Sequence, residues 1–115
     1  MKAGIRVCKL LTEVTSLLLA AIGYIYSLSG YGLIRSEHVK MLTFGLLDYK
    51  TSLDIHMSPI IRLTLLFLAI VHGVTGFMLL AQKIRNSLIR CLCKLIIMIL
   101  GIAVAIQFLL LEMWF

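Results

Sequence analysis

Three long apolar runs dominate this chain: Leu10–Leu28, Ile60–Gln82 and Leu95–Phe115. Each is about 20 residues, enough to cross roughly 30 Å of hydrocarbon as a helix rising about 1.5 Å per residue. A soluble helix needs a polar stripe at helical period, and these runs have none. Their charges sit at the edges: Glu13 near the start of the first, Arg62 at the mouth of the second, Glu112 close to the end of the third. With 62% apolar residues and a mean hydropathy of +1.09, the runs predict an all-α integral membrane protein. We expect a single transmembrane domain over residues 1–115, with three transmembrane helices at 10–28, 60–82 and 95–115 and an outer loop at 29–59.

The opening "MKAGIRVCK" is basic, and "SLSG" downstream has the small residues of a leader cleavage site. We nevertheless expect the first run to be a retained membrane helix. The net charge of +6 gathers at span boundaries. Lys2, Arg6 and Lys9 precede the first run, and Lys83, Arg85, Arg90 and Lys94 join the second to the third with no acid between them. The 29–59 connection is mixed, with Arg35, Lys40 and Lys50 against Glu37, Asp48 and Asp54. Positive-inside bias then sets the N-terminus and the short connection on the cytoplasmic or matrix side, and the long loop and C-terminus outside. These clusters are helix-end anchors without accompanying aromatic residues, so they do not indicate nucleic-acid binding.

Ala20, Ala21 and Gly23 suit close helix contact in the first span, while Gly30 and Gly32 are expected to break it. In the loop, Val39, Leu42 and Leu46 recur at helical spacing, which predicts a short amphipathic helix ending around Gly45 and Asp48–Tyr49. Ser58–Pro59 reads as a helix start, with Ser58 as N-cap. The short stretch from Gln82 to Lys94 predicts that the last two spans are antiparallel neighbours. Cys8, Cys91 and Cys93 read as small buried hydrophobes on the reducing side, since Cys-x-Cys alone is a poor metal motif.

The histidines carry the chemical signal. His72 lies near the middle of the second run, where an ionisable group needs a partner. Leu65, Leu68, Gly76 and Leu79 share its helix face, and Thr75 can bond back to its own helix. An axial nitrogen, a missing side chain one turn on and apolar walls are what a porphyrin standing between helices requires. The competing reading is a histidine hydrogen-bonded across a helix pair, with the glycines used for packing. Haem b usually has two axial ligands, and the first and third runs contain no histidine. His56 is sixteen positions from His72, about 24 Å apart and on the opposite face if one helix held both. The two therefore cannot clamp one iron, although His56, off the helix that Ser58–Pro59 starts, can serve a second haem. His38 reads as solvated. A methionine is a further candidate, and a second subunit is the expected source of the missing ligand.

The stretch "LTLLFLAIVHGVTGFMLLAQKI" followed by "RNSLIRCLCK" resembles the small cytochrome b membrane-anchor subunit of succinate dehydrogenase/fumarate reductase complexes. That resemblance covers roughly residues 60–115 and implies three transmembrane helices, with His72 as an axial ligand of haem b shared with a sister anchor subunit. It also implies an iron–sulfur subunit at the cytoplasmic face, membrane quinone as redox partner, and a respiratory membrane (plasma or mitochondrial inner). The family continues with an Asp-Tyr pair at the quinone site, where this chain has Lys83 and Ile84. A weaker resemblance, in "TFGLLDYKTSLDIHMSP…VHG", is to small dihaem b-type cytochromes and implies haem ligation by both His56 and His72. The expectation is a haem b-binding anchor subunit, not catalytic alone. The alternatives are a haem-free structural subunit and a homodimeric dihaem cytochrome. The site residues are His72, Gly76 and His56.

Overall fold

In a computed structural model describing residues 2–114, the chain forms five helices: α1 (Lys2–Ile34), α2 (Ser36–Leu42), α3 (Tyr49–Met57), α4 (Pro59–Ala81) and α5 (Ser87–Trp114). No strand occurs among the described residues. Three helices, α1, α4 and α5, are long and apolar enough to cross a bilayer. The chain is an all-α integral membrane protein.

Helix ends follow local hydrogen bonding more than hydropathy. α1 has 33 residues and extends past the expected 10–28 span in both directions. Its charged first turns interrupt the apolar run, but lysine and arginine are good helix formers and do not interrupt the helix. Gly30 and Gly32 lie inside α1, contrary to the expected break. α2 ends at Leu42, followed by Phe44 and Gly45 with positive φ of 57° and 84°. Of its expected apolar residues, Val39 is buried within the protein and Leu42 is exposed, while Leu46 lies beyond the end of the helix and is exposed too. Asp48, expected to close that helix, instead opens α3 by accepting the Thr51 amide at 2.8 Å. Ser58 and Pro59 start α4 as expected, the Ser58 hydroxyl accepting from the Ile61 amide. Asn86 caps α5 by accepting the Leu88 and Ile89 amides, so the helix begins ahead of the expected residue 95.

The chain divides into two compact units, Met1–Leu17 with Phe67–Phe115 (unit 1) and Leu18–Leu66 (unit 2). In unit 1, the buried side chains are Thr15, Leu68, Thr75 and Ala81. Val74 lies against Gly101, while Gln82 and Lys94 line one common cleft, so α4 and α5 run antiparallel. A Cβ on Gly101 would come within 2.6 Å of Val74 Cγ2. In unit 2, Ser29, Gly32, Val39, Leu47 and Ser52 are buried. Both interiors are built largely from small and hydroxyl side chains, while leucines, isoleucines and phenylalanines point outward. This inverts the soluble pattern, as expected where lipid is as apolar as leucine and helices associate through close packing and hydrogen bonds.

Candidate functional site

In unit 1, Thr12 and Thr15 stand one turn apart on α1 and meet His72 and Thr75 of α4. His72 Nδ1 lies 3.1 Å from Thr15 Oγ1 and 3.2 Å from the Thr12 carbonyl oxygen. Thr12 Oγ1 is 2.8 Å from Thr75 Oγ1, which donates to the Val71 carbonyl. The proton on the imidazole follows from these partners. A carbonyl oxygen only accepts, and the Thr15 hydroxyl is spent on the Leu11 carbonyl at 2.6 Å. Nδ1 must therefore donate, and the neutral ring carries its lone pair on Nε2. On the same helix, a Cβ on Gly73 or Gly76 would meet no atom within 4 Å beyond its chain neighbours and the adjoining helix backbone. These glycines leave open space and are not used for packing within the chain.

Unit 2 repeats the arrangement with different residues. His56 lies within α3, next to its last residue, not on an irregular segment. Its Nδ1 is 3.1 Å from Ser29 Oγ of α1. Ser29 donates to the Tyr26 carbonyl at 2.5 Å, so its oxygen accepts the imidazole proton and Nε2 of His56 is again the lone-pair nitrogen. The ring stacks on Tyr26 with centroids 4.4 Å apart and planes at 20°. Gly30 permits this approach, since a Cβ there would sit 3.3 Å from His56 Cε1. A Cβ on Gly32 would collide with the Ser52 side chain, so α1 and α3 meet at glycine contact distance.

His72 and His56 are each oriented by α1, in separate units, and Gly76 flanks His72 as open space. His72 is the single histidine of unit 1. Among the described residues no three His, Cys, Asp or Glu side chains converge as a metal site. His38 is exposed, and Cys8, Cys91 and Cys93 are free thiols, Cys91 exposed and the others half-buried. Lys83 and Ile84 lie in the turn after α4. Sequence reasoning missed Thr12, Thr15, Ser29 and Tyr26. The available signal was the helical spacing of hydroxyls in "LTEVTS" and "YSLSG" within a membrane run.

Each imidazole offers one nitrogen of the kind that could ligate a metal. A held Nδ1–H and a free Nε2 lone pair are the usual arrangement of a metal-binding histidine, with the bond at the far nitrogen setting tautomer and ring direction. A multi-pass membrane protein with two oriented imidazoles is the class this geometry defines. The chain matches no protein-family model, no curated protein and no solved structure.

Proposed function

We propose that the chain is a haem b-binding membrane-anchor subunit of a respiratory oxidoreductase, of the succinate dehydrogenase-like kind. The observation that carries this reading is the pair of oxygens, Thr15 Oγ1 and the Thr12 carbonyl, held at His72 Nδ1, which leaves Nε2 as the candidate ligand nitrogen on a helix that also carries the open Gly73 and Gly76. His72 would hold the haem together with a residue of a sister anchor subunit. Bound there, haem b supplies one-electron transfer. The residues of this chain would hold the imidazole tautomer and fix its direction. Positive-inside bias supports an N-terminus and α4–α5 connection on the cytoplasmic or matrix side, with the C-terminus outside. Lys83 and Arg85, with Arg90 and Lys94 behind them on α5, would dock an iron–sulfur partner, and electrons would pass between it and membrane quinone.

Two alternatives have their own support. His72 bonded across the α1–α4 pair also suits a haem-free structural subunit. The matching tautomer of His56 suits a homodimeric dihaem cytochrome. A reduced-minus-oxidised spectrum of the protein purified with its partners separates the three. Absence of b-type Soret and alpha bands refutes both haem readings. With haem present, His72→Ala abolishes it under the anchor reading and His56→Ala leaves it intact; halving by His56→Ala selects the dihaem cytochrome.

A further inference from the structure

Unit 1 contains a second feature, which shares Thr75 with the histidine site and reaches the end of the spans where α4 turns into α5. A cleft of about 410 Å³ opens between the first turns of α1 and the α4–α5 pair. Met78 and Met98 form part of its wall, and Gln82 and Lys94 supply an amide and an ammonium at the end nearest the turn. Gly4 lines it with nothing within 4 Å of the position a Cβ would take, so the cleft stays open on the α1 side.

Charge sets the chemistry of an occupant. The sequence of unit 1 carries Lys2, Arg6, Lys9, Lys83, Arg85, Arg90 and Lys94 against Glu13 and Glu112, and no acid lies between Lys83 and Lys94. An ammonium at the boundary of a transmembrane cleft attracts an anion, and apolar walls running inward from it accept hydrocarbon. Basic pockets between membrane helices recognise anionic headgroups for this reason. Methionine walls adapt to a flexible chain because the thioether is unbranched and polarisable.

We propose that this cleft seats one anionic phospholipid, its phosphate held by Lys94 and Gln82 and the start of an acyl chain lying along Met78 and Met98. The proposal does not depend on haem binding.

Native mass spectrometry of the full chain in detergent, with equal phosphatidylglycerol and phosphatidylcholine, tests it. The expected result is one retained phosphatidylglycerol per chain. Lys94→Gln should lower the preference over phosphatidylcholine about five-fold, the effect of one cation at a lipid surface. Gly4→Leu should remove the adduct, because Gly4 lines the cleft and a Cβ there meets no neighbouring side chain, so the added bulk can occupy it. Lys83→Gln, on the turn, should leave it. Circular dichroism checks that each variant keeps the wild-type helix content. Equal retention of both lipids, or Lys83→Gln matching Lys94→Gln, overturns the site in favour of diffuse attraction. A stoichiometric adduct with inorganic phosphate alone overturns the lipid assignment, and a neutral lipid indifferent to Lys94→Gln overturns the anionic one.

Discussion

Replacing Gly32 by alanine is expected to force α3 away from α1. The new Cβ would lie 2.7 Å from Ser52 Cβ and closer still to Ser52 Oγ, where Gly32 is buried and Ser52 fully so. Overpacking of this kind costs about 1–3 kcal/mol. Removing a helical glycine returns about 1 kcal/mol, so the net loss is up to about 2 kcal/mol. Ser52→Gly removes both clashing atoms. In that background Gly32→Ala should become stabilising by about 1 kcal/mol, the propensity gain alone. The coupling energy of the cycle is therefore the clash itself, about 1–3 kcal/mol. Unfolding of the four proteins in mixed micelles, followed by circular dichroism, measures it. The same displacement should weaken the Ser29–His56 bond, visible as a mixed-tautomer ¹⁵N shift for His56 in the Gly32→Ala protein. Additivity within about 0.5 kcal/mol, with an unchanged His56 signal, would refute the close α1–α3 contact.

Thr15→Val keeps the shape of the side chain and removes one acceptor from His72. It should cost about 0.6 kcal/mol, the average for a membrane hydrogen bond, and retain the Nδ1–H tautomer by ¹⁵N NMR because the Thr12 carbonyl remains. Gly101→Ala should destabilise the α4–α5 pair, since the stiff Val74 side chain cannot rotate away, and Val74→Ala should restore it in the same unfolding assay. Asp48 has its carboxyl held below the ordinary value of 3.8, chiefly by the Thr51 backbone hydrogen bond, with Lys40 also lowering it. A depressed folded-state value means the unfolded chain binds the proton more readily. The α3 cap is therefore complete above the ordinary carboxylate range and lost as pH falls below it, which amide exchange at Thr51 should report; pH-independent protection across that window would exclude the cap.

Much of the architecture is legible in local composition. Transfer of apolar residues into hydrocarbon is a sum along the chain, so three runs without a polar stripe suffice for three spans and an all-α class. Ser58–Pro59 is legible for a similar reason, because a cap acts within one turn. His72 stands out because an imidazole in hydrocarbon is costly without a partner. Other features have no local signature. Glycine breaks a helix or lets another helix approach, and at Gly32 the distant Ser52 selects the second role. α3 escaped notice because its polar composition resembles a loop, although Asp48–Thr51 is an ordinary capping pair. The tautomer of His72 depends on Thr12 and Thr15, 60 and 57 positions away along the chain. Insertion into a bilayer depends on what each residue is, whereas the direction and proton of an imidazole depend on which oxygen the folded helices bring against it.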